Sequence, residues 1–112
     1  MASVSVPDTG HYNETQGGYL LRFAGWPEEL VADALSVMWC ESSGNPSMIG
    51  DNGNSIGLFQ IQWTPNTWGG WKYARGMESL KYKDIRDPLI NSRAALVIYK
   101  NYGGWYNWSC KP

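Results

Sequence analysis

The chain is short of the side chains that metal chemistry needs. Its 112 residues include one histidine, His11, and two cysteines, Cys40 and Cys110. That set cannot complete a four-ligand zinc site, which excludes a zinc hydrolase; no metal and no cofactor are expected. A surplus of either charge is lacking as well: nine Lys and Arg stand against ten Asp and Glu, a formal net charge of −1. Without a basic stripe to neutralise phosphates, nucleic acid is excluded as a partner. No stretch approaches the roughly 20 apolar residues of a membrane span, and residues 1–6, Met-Ala-Ser-Val-Ser-Val, have neither the charged nor the apolar region of a signal peptide. There is no internal repeat, and the length fits one domain that buries its own core.

Phenylalanine is also scarce, at two residues, whereas Trp and Tyr number seven each. Trp63, Trp68, Trp71 and Tyr73 fall in a Gly-, Pro- and Asn-rich stretch, and Trp105, Tyr106 and Trp108 follow the Gly103-Gly104 break. Flat rings with a polar edge suit sugar faces, so an aromatic-lined cleft is one reading. The other is a small core filled with rings, and Trp39 and Trp108 are expected there. The two cysteines also have two readings. A Cys40–Cys110 disulfide would close a loop of about 70 residues, contribute about 4 kcal/mol by chain entropy and imply an oxidising, extracytoplasmic setting. Two buried thiols would fit a cytosolic protein.

Residues 1–18 are polar, glycine-bearing and aperiodic, and read as a tail or arm; Tyr19 to Ala24 suits a short helix or turn. The first firm helix starts at Pro27-Glu28-Glu29, where proline costs nothing and acids meet the positive end of the dipole. Gly44-Asn45-Pro46 ends it near Ser42 or Ser43. Leu30, Ala34, Val37, Met38 and Glu41 recur at three- and four-residue spacing, which places the Glu41 carboxylate on the core-facing stripe. Residues 46–75 form an irregular lobe with a short hairpin around Asn52-Gly53 and Ile56-Gly57. A helical turn fits Gly76 to Tyr82, and a last helix runs from Pro88, capped by Asp87, to about Asn101, with Gly103 as terminator.

Two segments flank the turn-rich run: Cys40-Glu41-Ser42-Ser43-Gly44-Asn45-Pro46 and Gly57-Leu58-Phe59-Gln60-Ile61. They resemble the first two motifs of the lysozyme and lytic transglycosylase superfamily. A third segment, Asp87-Pro88-Leu89-Ile90-Asn91 through Tyr99 to Gly103-Gly104-Trp105-Tyr106-Asn107-Trp108, resembles the closing helix and aromatic tail of those domains. The resemblance covers about residues 26–110, leaving 1–25 as an N-terminal arm and 26–112 as the domain. It implies a mainly α, α+β lysozyme-like fold with two lobes about a cleft. It implies also a monomeric glycosidase acting on peptidoglycan glycan strands at the β-1,4 bond between N-acetylmuramic acid and N-acetylglucosamine. The setting is secreted or extracytoplasmic, or reached by phage release.

In that resemblance Glu41 is the general acid. The second group is open. Ser55 stands where chicken-type lysozymes carry an aspartate, while Gly50 to Gln60 matches the goose-type Gly-Asp-x-Gly-Asn-x-x-Gly-Leu-x-Gln pattern, with Gln62 in place of that branch's further acid. Asp51 is then either a carboxylate that holds an attacking water, as in an inverting hydrolase, or a turn former. Lytic transglycosylases need no second carboxylate, since the sugar's own 6-hydroxyl attacks. Ser55, Gln60, Trp63, Trp68, Tyr99, Tyr102 and Trp105 are the expected substrate-binding residues. The alternative is a non-catalytic saccharide-binding module on the same scaffold.

Overall fold

The structure, a computed structural model, describes residues 10–63 and 70–112. Four helices surround a small sheet: α1 (Glu14–Ala24), α2 (Glu28–Ser42), α3 (Tyr82–Ile85) and α4 (Pro88–Asn101), with β1 (Ile49–Gly50), β2 (Ser55–Ile56) and β3 (Ile61–Gln62) between α2 and α3. Short 3-10 turns lie at Asp51–Gly53, Gly70–Tyr73 and Gly104–Asn107. The architecture is the expected mainly helical α+β one. Among the described residues no helix is long and apolar enough to cross a membrane.

α1 is the element that the aperiodic reading of residues 1–18 does not contain. It begins at a reciprocal cap: the Asn13 side chain accepts from Gln16 N–H at 2.8 Å, and the Gln16 side chain accepts from Asn13 N–H at 3.1 Å. It ends at Gly25, whose φ of 101° is the left-handed turn expected after a helix. Gly17 and Gly18 count against a helix by propensity, but they face inward. A Cβ on Gly17 would come within 2.7 Å of Leu35 Cδ2, so the missing side chain is what lets α2 approach. Leu20, Leu21 and Ala24 complete the buried face, and Arg22 on the other side forms a bidentate pair with Glu28 of α2 at 2.8 and 2.9 Å.

α2 and α4 have the expected bounds and for the expected reasons. α2 follows Pro27, buries Val31, Ala34, Val37 and Met38, and stops at Ser43 in the left-handed region. α4 begins at Asp87, whose Oδ1 accepts from the N–H groups of Leu89 (2.9 Å) and Ile90 (3.1 Å), with Pro88 next. Asp87→Ala therefore removes the partner of two helix-end donors. A loss of about 1 kcal/mol is expected, read as a lower urea midpoint at an unchanged slope.

The expected hairpin is present as β1–β2, with Ile49 opposite Ile56 and Gly50 opposite Ser55. The chain then turns through Gly57–Gln60 and adds β3, pairing Ser55 with Gln62 and Ile56 with Ile61. One side chain ties this lobe to the helices. Asn91, fully buried on α4, donates through Nδ2 to Ile56 O (2.8 Å) and Ile85 O (2.9 Å) and accepts at Oδ1 from Phe59 N–H (3.0 Å).

The core is a ring stack. Trp26 lies nearly parallel to Trp105 (centroids 5.5 Å, planes 6° apart) and to Phe59 (5.9 Å, 13°). Trp108 meets Phe59 edge-on, and its indole N–H donates to Phe59 O at 3.0 Å. Trp108 is thus in the core as expected, but Trp39 is not: it is 56% exposed. At about 100° per residue Trp39 points away from the Val37–Glu41 stripe. Trp63, expected at the cleft, is 3% exposed. It follows Ile61 at a two-residue interval, and extended chain sends alternate side chains to one face, here the buried one.

Candidate active site

Glu41 is the penultimate residue of α2 and is half-buried. Its position follows from the stripe: three residues after Met38 and four after Val37, it continues the inward face where the helix leaves the core. Its Oε2 accepts a hydrogen bond from the main-chain N–H of Cys110 at 3.2 Å. Cys110 is joined to Cys40 by a disulfide with the Cα atoms 6.0 Å apart, so the dithiol reading is set aside.

Glu41 opens onto a groove of about 390 Å³ with mainly polar walls. One wall is the sheet lobe, with Asp51, Ser55, Gln60 and Gln62; the other is Trp71 together with the tail residues Asn107, Trp108 and Ser109. The sheet wall is conformationally costly. Asp51 (φ 51°), Asn52 (φ 58°) and Gln60 (φ 46°) occupy the left-handed region without being glycines, a type of strain that collects at functional sites. Asp51 and Ser55 offset part of that cost, since the Ser55 hydroxyl donates to Asp51 Oδ2 across the hairpin turn. The Gln60 amide is likewise engaged, with Nε2 donating to Met48 O (3.1 Å) and Gly57 O (2.9 Å). Asn107 spends its N–H groups on Tyr102 O (2.8 Å) and Gly104 O (3.0 Å), which pins the tail turn.

Of the expected site residues, the structure brings Glu41, Asp51, Ser55 and Gln60 to one groove, and Trp63, Tyr99, Tyr102 and Trp105 do not line it. Trp63 is in the core, and Trp68 lies outside the described residues. Tyr99 and Trp105 do not line this groove; they pack on each other (4.8 Å) and on Trp26, because α4 needs an aromatic filling where the tail folds over it. The Tyr102 hydroxyl donates to Arg75 O at 3.3 Å and faces a separate depression beside Gly76 and Val97. Ile61, Gln62, Trp71, Asn107, Trp108 and Ser109 also line the groove and are absent from the expected site residues. Trp71 and Asn107 lie in the aromatic clusters already noted, so composition carried a signal for them. Gln62 stands where the goose-type pattern carries its further acid, which is a positional signal, whereas for Ser109 none exists in the chain alone. Among the described residues no three His, Cys, Asp or Glu side chains converge as metal ligands would.

The model of the Transglycosylase SLT domain family matches residues 21–110. The chain belongs to that family. Membership places it in the lysozyme-like superfamily and gives this SLT domain a peptidoglycan-acting function of the lytic transglycosylase or lysozyme-like kind. The matched span takes in the end of α1 and stops at Cys110, so both Glu41 and the disulfide fall inside it. No curated protein and no solved structure gives a significant match.

Proposed function

We propose that this SLT domain is a lytic transglycosylase that cuts the β-1,4 bond between N-acetylmuramic acid and N-acetylglucosamine, with Glu41 as its only catalytic carboxylate. The observation that carries the reading is the division of labour between the two acids of the groove. Glu41 is half-buried where it lines the groove, whereas Asp51 is exposed and its carboxylate is bound to the Ser55 hydroxyl of its own turn. Glu41 gives its proton to the leaving glycosidic oxygen, freeing the 4-hydroxyl of the departing sugar. The resulting carboxylate then takes the proton of the muramic 6-hydroxyl as that oxygen closes on C1. The product ends in a 1,6-anhydro ring and Glu41 is again protonated. Trp71 offers a sugar-stacking face at the groove, and the Gln60 and Asn107 amides fix the walls on either side. The substrate puts the site of action outside the cytoplasm, where a Cys40–Cys110 disulfide persists, and a monomer is sufficient because the groove is built from one chain.

Asp51 lines the same groove, which keeps an inverting hydrolase as a second reading. The products separate the two. Mass spectrometry of released muropeptides is expected to give ends lighter by one water than hydrolysis leaves; ends at the hydrated mass would replace the transglycosylase with the hydrolase. Asp51→Asn supplies a second test. Retention of at least about a tenth of the wild-type rate is expected, against a loss of about 10²-fold or more if Asp51 activates water. A binding module without catalysis would sediment with cell walls while leaving the turbidity of the suspension flat.

A further inference from the structure

The proposed acid and the disulfide are consecutive in the chain. Cys40 precedes Glu41 on α2, and its partner Cys110 is the residue whose main-chain N–H donates to Glu41 Oε2. A donor 69 residues away in sequence is thus tied by a covalent bond to the neighbour of its acceptor. Among the described residues this N–H is the hydrogen-bond donor found on the Glu41 carboxylate.

What the cross-link adds can be located from the tail's other anchors. Trp108 is buried, meets Trp105 edge-on and donates to Phe59 O, so the chain is secured as far as residue 108 without the disulfide. Beyond it Ser109 is exposed and Cys110 half-buried. In the last turn of a helix, a glutamate side chain ordinarily samples several rotamers. Fixing the carboxylate at the groove needs a donor that does not move, and the disulfide adds a covalent hold where Cys110 is only partly packed against the core.

We propose that the Cys40–Cys110 disulfide is a positioning device for the proton donor: it fixes the Cys110 N–H against Glu41, so that turnover depends on its oxidation state while the fold does not. This rests on the reading of Glu41 as the catalytic acid. Opening the bond requires a reductant such as a small dithiol. Two electrons and two protons pass to the sulfurs, two thiols form, and the dithiol closes into its own cyclic disulfide. Cys110 then leaves the carboxylate, and Glu41 loses its fixed orientation toward the leaving oxygen. Losing that hydrogen bond together with the orientation it imposes on the acid corresponds to a fall in kcat of about 10-fold or more.

The experiment uses the full chain on soluble, uncross-linked peptidoglycan glycan strands, with kcat and KM measured separately for the oxidised, dithiol-reduced and reoxidised protein and for Cys40→Ser/Cys110→Ser. The temperature is set well below the melting point of the weakest form. The expected result is a fall in kcat of about 10-fold or more in the reduced protein and the double variant, with KM within about twofold and recovery on reoxidation. An unchanged kcat in the folded double variant overturns the proposal and leaves the disulfide as a staple only. Reduced forms that unfold under these conditions also overturn the proposal, because the fold would then depend on the bond; in the oxidised protein NMR tests the contact itself. The Cys110 amide proton is expected to move upfield in Glu41→Ala, which removes the acceptor oxygen altogether. A resonance that does not move overturns the proposal. Wild-type turnover in oxidised Glu41→Gln is a different failure, that of the catalytic reading itself.

Discussion

Glu41→Gln is expected to abolish the release of soluble fragments from peptidoglycan, with a drop of about 10³-fold or more in turnover and a thermal midpoint unchanged or slightly raised. Proton transfer by a positioned acid is worth about 10²–10⁴-fold, and a primary amide cannot give a proton to the leaving oxygen. Stability is spared because Glu41 touches the core only at its edge: the residues that bury α2 are Val31, Ala34, Val37 and Met38, and all are retained. Glutamine also keeps an oxygen that can accept from Cys110 N–H, so the tail stays in place. The measurement is lysis of a cell-wall suspension beside calorimetry of the same sample. Lysis at the wild-type rate would remove Glu41 from the mechanism; lost lysis with a collapsed melting transition would make it a structural residue.

The largest effect on stability is expected at Asn91. Its amide uses both N–H groups and its oxygen, on Ile56 O, Ile85 O and Phe59 N–H, with no solvent exposure. Asn91→Leu fills nearly the same volume but strands one donor and two acceptors in the core. At about 1–3 kcal/mol for each buried polar group left without a partner, the loss is expected to be about 4 kcal/mol or more. For a domain of this size that lowers the melting point by roughly 15 °C or more. The neighbourhood cannot relax toward the gap from the other side, because the Gly57 backbone lies against the amide: a Cβ there would be 2.6 Å from Asn91 Nδ2. Denaturant melts of Asn91→Leu and Asn91→Asp test this. The aspartate variant is expected to fall at least as far, since it replaces the donor group with an oxygen facing two carbonyls. A change under about 1 kcal/mol in both would mean that the lobe is attached by other contacts.

The parts of the fold written in local signals were legible in the sequence. Asp87-Pro88 at one end of α4 and Gly103 beyond the other, or Pro27 and Gly44-Asn45-Pro46 around α2, act within a turn of the residues they punctuate. Where a residue's meaning depends on a distant partner, reading failed. Gly17 looks like a helix breaker until Leu35 is known to sit against it. Trp39 and Trp63 exchanged expected places because an isolated ring carries no mark of which face will be covered. The candidate site divides in the same way. Glu41, Asp51, Ser55 and Gln60 lie within 20 residues of one another and share the groove, whereas Asn107 and Ser109 reach it only because the tail folds back to the last turn of α2. The disulfide was half legible: the pair of cysteines was visible, but not that one of them donates to Glu41.

Trp26, near-parallel to both Trp105 and Phe59, brings the loop before α2, the sheet lobe and the tail to a single indole. Coupled chromophores held so rigidly give near-ultraviolet circular dichroism that vanishes once their packing loosens, even while helical content persists. The molecule therefore carries a built-in optical gauge of whether its three converging segments are assembled, and no label need be added to follow them.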